Sequence, residues 1–80
     1  MNANGNGSTI AIVSYIDLEG GFYGIITDTG DHHDPINLPV EYQVDSLRIS
    51  YKYKTVQNVA SIRMWGTPIE ILEIREHSER

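Results

Sequence analysis

The sequence predicts a small all-β domain, and three observations lead to this fold class. Eighty residues are enough for one domain and leave little room for a second. Aromatic and β-branched residues are enriched between Ile10 and Ile74, which favours strands over helices. Turn signals at Gly20, Gly21 and Gly30 separate the apolar runs. Because the chain contains no cysteine, a disulfide framework is excluded and stability must come from packing.

A β-hairpin between Tyr15 and Gly30 is the clearest element, and the other strands are expected to assemble around it. Two runs rich in Ile, Tyr and Phe flank Gly20 and Gly21, and tandem glycines supply the positive φ angles of tight hairpin turns. Gly30 closes a second turn, where it is available for a left-handed conformation. Three consecutive strands should therefore form a meander.

The first two strands are predicted over Ser8–Leu18 and Phe22–Asp28. Apolar residues of the first strand fall on both parities, so this strand is covered on both sides or changes face at a bulge. It is also long enough to bend and to serve two sheets, as in small closed barrels. In the second strand, Gly24 marks a bend or a close backbone approach.

The third strand, Asp31–Asn37, is predicted to be short and to lie at an edge or rim. Pro35 has no backbone N–H to donate, and Pro39 ends any pairing. The following segment, Leu38–Gln43, has proline at a possible first helical position. At most one helical turn is therefore expected between the third and fourth strands, where it would plug one end of the barrel.

The fourth strand, Ser46–Lys54, shows the clearest alternation in the chain. The side chains expected to face inward are Leu47, Ile49, Tyr51 and Tyr53, and those expected to face outward are Arg48, Ser50, Lys52 and Lys54. The fifth strand is expected to begin near Ala60, to bend at Gly66–Pro68 and to resume over Ile69–Ile74.

The core and the domain limits follow from these strands. Five residues occupy the apolar parity of their strands and are assigned to the core: Leu47, Ile49, Tyr51, Ile62 and Ile71. Residues 1–7 are small and polar and are predicted to be disordered. The barrel is placed at residues 8–76, with fraying expected from Arg75 and a tail at 77–80.

Five strands, bent first and last strands and an insertion before the fourth strand match the oligonucleotide/oligosaccharide-binding (OB) barrel, a five-stranded Greek key. Four phrases resemble a family of small uncharacterised OB-like proteins: Tyr15–Gly24, Asp34–Pro39, Leu47–Ile49 and Met64–Pro68. The resemblance covers nearly all of the chain from Ser8 to Glu76. It implies the fold, and it supplies no catalytic or ligand residues.

A cytoplasmic location without a membrane span is expected. No run approaches the roughly 18 apolar residues that a spanning helix needs, and Met1–Gly7 lacks the basic and apolar segments of a secretory signal. Some relatives resemble secreted lipoproteins whose leader ends in a cysteine, which this chain does not contain. A removed leader or lipoprotein anchor stays open as an alternative.

The net charge of −5 conceals a segregation along the chain. Residues 1–45 contain seven acids and no Lys or Arg, residues 46–69 contain four bases and no acid, and residues 70–80 contain four acids and two bases. If the fourth strand lies beside the first, its outward bases neighbour acidic turns. Part of the charge is then neutralised internally, with each exposed pair contributing about 0–1 kcal/mol.

Metal and catalytic sites are not predicted. The tetrapeptide Asp31–Asp34 combines two His with two Asp, which are possible metal ligands. On an extended strand, alternate residues face opposite ways, so these four side chains cannot converge on one ion. A solvated turn and rim strand is the preferred interpretation, and no cofactor is expected. No Gly-x-Ser-x-Gly elbow is present, and Asp17, Glu19 and Asp28 are expected to be solvated turn acids.

The predicted function is a non-catalytic binding or interaction domain, whose partner is another protein or a second copy of the chain. The alternative is a single-stranded nucleic-acid-binding domain, which uses aromatic rings for stacking and bases for phosphates. The candidate binding residues are Tyr23, Arg48, Lys52, Lys54, Arg63 and Trp65. Nucleic acid is disfavoured because Asp28, Asp31 and Asp34 fall on or beside the second and third strands and would repel phosphates there.

Overall fold

The structure is a computed structural model that describes residues 8–57 and 64–77. Its five strands are β1 Thr9–Ile16, β2 Phe22–Thr27, β3 His32–Pro35, β4 Arg48–Thr55 and β5 Thr67–Glu76. A single 3-10 turn, Val40–Tyr42, lies between β3 and β4. The all-β class, the five strands and the short helical turn are therefore confirmed. The predicted disordered segment 1–7, the core residue Ile62, the site residue Arg63 and the last three residues lie outside the described residues.

The five strands close into a barrel in the order β1-β2-β3-β5-β4. Neighbouring strands are antiparallel except for β3 and β5, which are parallel. As predicted, β1 pairs with two strands, because Ala11 and Ile12 lie opposite residues of both β2 and β4. The closed barrel and its strand order are compatible with an OB-like Greek key.

The prediction that the third strand lies at an edge is wrong. β3 pairs with β2 on one side and with β5 on the other. Pro35 is tolerated because pairing with β2 involves only His32 and His33 and ends before the proline. On the β5 side, the ladder continues through Ile36, whose N–H donates to the Ile69 carbonyl at 2.9 Å.

The two glycine turns have the predicted conformations. Glu19, Gly20 and Gly21 all have positive φ angles, and the Gly21 N–H donates to the Leu18 carbonyl at 2.7 Å. Gly30 also has a positive φ, of 94°, in the second turn. These left-handed positions fix the hairpin and bring β2 back antiparallel to β1.

The core consists of buried residues from β1, β2, β4 and β5: Ala11, Val13, Ile25, Ile49, Tyr51, Ile69 and Ile71. The alternation predicted for the fourth strand is confirmed, since Ile49 and Tyr51 are buried while Leu47 and Tyr53 are partly buried and pack against the core. The 3-10 turn covers one barrel end, where Leu38 and Tyr42 pack against the same core.

The fifth strand differs from the prediction at its C-terminal limit, and its expected start near Ala60 lies outside the described residues. A bend at Trp65 and Gly66 precedes β5, close to the predicted position, but Pro68 does not interrupt the strand, because β5 begins at Thr67 and Pro68 pairs with Asp34 inside the parallel ladder. The expected fraying from Arg75 is also wrong. Arg75 lies opposite Ser50, Glu76 lies opposite Ile49, and the His77 N–H donates to the Arg48 carbonyl at 2.9 Å. Pairing with the long fourth strand holds this end in place.

An irregularity in β5 is stabilised by a side chain. The β4–β5 register shifts after Lys52, so that Leu72 has no residue opposite it. Beside it, the Asn37 amide pairs with the backbone of Ile71, accepting from its N–H at 2.8 Å and donating to its carbonyl at 3.0 Å. The amide thus extends the β3–β5 ladder beyond Pro35 and anchors the connection that leads to the 3-10 turn.

Candidate binding site at the hairpin end of the barrel

The barrel has two ends of different character. We call residues 15–23 and 35–46 the hairpin end, because they comprise the β1–β2 turn and the connection from β3 to β4. We call residues 27–33, 51–55 and 67 the turn end, because they surround the tight β2–β3 turn. Each end brings together side chains that are distant in sequence.

A surface cavity of about 350 Å³ opens at the hairpin end. Its described lining residues are Tyr15, Gly21, Phe22, Tyr23, Pro35, Ile36, Asn37, Leu38 and Gln43. Tyr15 and Tyr23 are direct cross-strand partners whose rings meet edge to face at 5.3 Å, and they form one wall. The volume lies near the lower limit of roughly 300–1,000 Å³ that is usual for ligand pockets.

Hydrogen bonds fix the positions of the segments that form the walls of this cavity. The Tyr15 N–H donates to the Asp45 carboxylate at 2.7 Å, which ties the hairpin to the segment before β4. The Gln43 amide donates to the Leu38 carbonyl at 2.9 Å and closes the loop around the 3-10 turn. At Gly21, a Cβ atom would collide with the Tyr15 ring, so glycine is required for the ring to lie there.

The described lining residues of the cavity carry no charged side chain, and the segments that supply them contain exposed acids. All its described lining residues come from the first 45 residues, which contain no Lys or Arg. Exposed acids lie in the two segments that supply the lining, in the hairpin turn and around the 3-10 turn: Asp17, Glu19, Glu41 and Asp45. Large exposed apolar side chains share this end: Tyr15, Leu18, Ile36, Val40 and Val44. The hairpin end therefore combines a cavity of mixed polar and apolar lining with exposed carboxylates in the adjoining segments.

The turn end is packed with hydrogen-bonded aromatic rings. His33 Nδ1 lies 2.7 Å from the Tyr51 hydroxyl, and the His33 ring lies 4.5 Å from the ring of Tyr53. Burial lowers the pKa of His33, against an opposing effect of Asp31. Burial also raises the pKa of Tyr51, with smaller contributions from Tyr53 and Asp31. This environment favours a neutral imidazole hydrogen-bonded to a neutral phenol.

The expectation of a solvated third strand is therefore wrong. His33, Asp34 and Pro35 are all buried. The reason is that β3 is paired on both sides, which places the His33 ring inside the barrel against Tyr51 and Tyr53. Sequence alternation correctly separated the two histidines, because the His32 ring lies outside and stacks on Trp65 at 4.3 Å. Within residues 8–57 and 64–77, no group of three or more His, Asp or Glu side chains is placed to hold a metal ion.

The two aromatic residues predicted from sequence do not share a site. Tyr23 lines the cavity, whereas Trp65 covers the outer side of β2, where its ring meets Phe22 edge to face at 5.6 Å. A Cβ atom on Gly24 would lie 2.5 Å from the Trp65 ring. The close approach predicted at Gly24 is therefore found, and the approaching group is the indole ring of Trp65. Trp65 fills a packing role beside His32.

The three predicted basic residues that the structure describes form ion pairs along the outside of β4. Arg48 contacts the Asp28 carboxylate at 3.2 and 3.5 Å, while Lys52 lies 3.8 Å from Glu73 and Lys54 lies 3.6 Å from Glu70. Internal neutralisation is found, but the expected partners are right only for Arg48, whose acid Asp28 lies in a turn; the acids beside Lys52 and Lys54 come from β5. These pairs lie outside the cavity lining, so the predicted site residues are distributed over several surfaces.

Sequence reasoning missed Tyr15, Ile36, Leu38 and Gln43 as cavity residues. The hairpin itself contained the signal for one of them, because counting outward from Glu19 pairs Tyr15 with Tyr23. The other three residues lie on the long β3–β4 connection, whose path depends on the Asn37 and Gln43 hydrogen bonds. Such tertiary contacts leave no periodic pattern in the sequence.

No family model matches this sequence, and comparison with curated proteins and with solved structures found no match. The closed five-stranded barrel is compatible with an OB-like fold, and membership of an OB-like family stays a prediction. In the part of the chain that the structure describes, no helix is long and apolar enough to cross a membrane.

Proposed function

We propose that this protein is a non-catalytic binding domain that holds a segment of another protein at the hairpin end. The observation that supports the proposal most directly is the cavity between Tyr15, Tyr23 and Gln43, bordered by apolar side chains that face solvent. Exposed aromatic and large apolar side chains are typical of protein-recognition surfaces. The connection is also tied down by side-chain hydrogen bonds, so the walls are formed before a partner arrives.

A binding role is favoured over catalysis by the chemistry of the cavity. General acid–base catalysis needs a group that exchanges protons near the working pH and lies within reach of the substrate. The described lining residues contain tyrosines and amides, and none of them is His, Asp, Glu or Lys. The buried His33 lies at the turn end, where its ring nitrogen Nδ1 is hydrogen-bonded to the Tyr51 hydroxyl.

Single-stranded nucleic-acid binding, which OB-like barrels often perform, receives less support. Phosphate contacts require cations that can replace counterions along the strand. Arg48, Lys52 and Lys54 already lie beside carboxylates, and Trp65 stacks on His32. We expect no binding of a short mixed-sequence single strand at micromolar concentration and about 0.15 M salt.

A random-peptide display selection on the immobilised protein tests the proposal. Enriched peptides should lose binding to Ile36→Ser and keep binding to Leu72→Ser. The two variants are a matched pair, because Ile36 is 54 % exposed beside the cavity and Leu72 is 56 % exposed on β5. Both changes remove a large apolar side chain from the surface and leave the core intact.

Two results would contradict the proposed function. One is a selection that enriches no peptide, and the other is an enriched peptide that responds equally to both variants. Saturable micromolar binding of the single strand, weakened steeply by salt and by replacing Lys52 and Lys54, would instead favour nucleic-acid recognition.

A further inference from the structure

We infer that the hairpin end recognises a basic protein segment that inserts one aromatic or large apolar side chain into the cavity. This inference rests on the proposed function and adds the chemistry of the partner. It combines two independent features of the same end, the shape of the cavity and the sign of the surrounding charge.

The anchor side chain follows from the cavity and its border. Two tyrosine rings form one wall, and Ile36 and Leu38 line the cavity with them. A ring inserted here would meet the two tyrosine rings and the carbon atoms of Ile36 and Leu38, beside the amides of Asn37 and Gln43. The exposed Val40 and Val44 surround the same end and would contact residues next to the anchor.

The positive charge of the partner follows from the carboxylates. Within the described residues, Asp17, Glu19 and Glu41 form no ion pair, in contrast to Asp28, Glu70 and Glu73. Two of these unpaired acids lie in the turn that ends at Gly21, and Glu41 lies between the lining residues Leu38 and Gln43. Lysine or arginine side chains flanking the anchor would therefore find carboxylates on both sides of the cavity.

The same charges argue against other occupants. In a twofold contact between two hairpin ends, acids would face acids, which is unfavourable. The outward cations of β4 are placed beside acids of their own chain, so they offer a poor counter-surface. Residues 1–7 carry no Lys or Arg side chain to pair with these carboxylates.

Fluorescence anisotropy with three blocked, labelled pentapeptides tests the inference on the full chain. The probe has a central phenylalanine flanked by lysines. One comparison peptide replaces the phenylalanine by serine, and the other replaces the lysines by glutamates. We expect saturable binding of the probe at sub-millimolar concentration, at least roughly tenfold weaker binding of both comparison peptides, and a loss of affinity as salt rises.

A matched pair of double variants separates local from general electrostatics. Asp17→Asn with Glu41→Gln neutralises two acids beside the cavity, and Glu70→Gln with Glu73→Gln neutralises two acids on β5. The first variant should weaken probe binding by roughly three- to tenfold, whereas the second should leave it within about twofold. The net charge changes equally in both. The second variant also removes the ion pairs of Lys52 and Lys54, which lie outside the cavity lining.

The inference is overturned if the probe does not bind, if the glutamate peptide binds as well, or if both double variants behave alike. It is also overturned if native mass measurement shows a dimer that the probe dissociates, because a second copy then occupies the cavity. Neutral or acidic peptides that bind the protein but not the Ile36→Ser variant would contradict the inference that the partner is basic. They would still support the proposed function.

Discussion

The two ends of the barrel differ in how completely their side chains are covered. At the turn end, Tyr51 is buried and hydrogen-bonded to His33, with Tyr53 packed beside both. At the hairpin end, Tyr15 and Ile36 remain about half exposed around an open cavity. Because both ends belong to one small barrel, the comparison separates groups that stabilise the fold from groups available to a partner.

Connection length explains this difference. At the turn end, β2 and β3 are joined by a tight turn in which the Thr27 and Asp31 backbones hydrogen-bond at 2.9 Å. At the hairpin end, residues 36–47 join β3 to β4 and contain only the 3-10 turn Val40–Tyr42. Leu38 and Tyr42 cover part of the core, and the rest of the connection leaves the cavity open.

The largest expected effect comes from the core that both ends share. Ile49 is fully buried on β4, so Ile49→Ala should lower the free energy of unfolding by about 2–5 kcal/mol. The matched change Val44→Ala, at a half-exposed position of the hairpin end, should cost less than about 0.5 kcal/mol. Urea denaturation of both variants measures the difference. Equal costs would mean that the inward face of β4 is assigned incorrectly.

Removing one tyrosine hydroxyl from each end should change the free energy of unfolding by different amounts. Tyr51→Phe leaves the buried His33 ring without its partner and should cost about 1–3 kcal/mol. Tyr15→Phe should change stability by less than about 0.5 kcal/mol, because its hydroxyl forms no hydrogen bond with other described residues and its side chain is half exposed. Thermal or urea denaturation that ranked the two variants in the opposite order would contradict the division between the ends.

The turn end should also make stability depend on pH. Burial lowers the pKa of His33 below its ordinary value of 6.5, so the unfolded chain binds a proton more readily than the folded one. This contribution to stability is fully present above about pH 6.5 and is lost as the pH falls through the folded-state pKa. His33→Gln should reduce this loss in denaturation curves measured between pH 7 and pH 5. An unchanged slope would place the titrating groups elsewhere.

The smallest expected effect on stability belongs to the hairpin end itself. Ile36→Ser and Leu72→Ser should each change the free energy of unfolding by less than about 0.5 kcal/mol, because both side chains are more than half exposed. Denaturation of the two variants provides this control. If Ile36→Ser lowered the free energy of unfolding by more than about 2 kcal/mol, this side chain would stabilise the fold. It would then not be an exposed group available to a partner.

The sequence predicted those features that depend on local chemistry or on strand periodicity. Gly20, Gly21 and Gly30 identified both turns, and alternation identified Ile49 and Tyr51 as inward-facing. Features set by the pairing of β3 with β5 were missed. The parallel β3–β5 ladder buried His33 and drew Pro68 into a strand, and no local signal encodes that partnership.

The cavity was predictable only in part, for the same reason. Hairpin register was sufficient to place Tyr15 beside Tyr23, and the proline-containing segment after β3 was expected to cover a barrel end. That this segment leaves space beside the two rings depends on the Asn37 amide binding the backbone of Ile71. A side-chain contact across 34 residues has no counterpart in composition or spacing.

Amide chemical-shift mapping with the lysine-flanked phenylalanine peptide tests most directly whether the hairpin end is the binding surface. In ¹⁵N-labelled protein, the largest saturable shifts should occur at Tyr15, Gly21, Tyr23, Ile36 and Gln43, which line the cavity. The amides of His33, Tyr51 and Tyr53 at the turn end should remain essentially unmoved. Shifts centred on the turn end or on the outward face of β4, or no saturable shifts at millimolar peptide, would contradict the assignment of binding to the hairpin end.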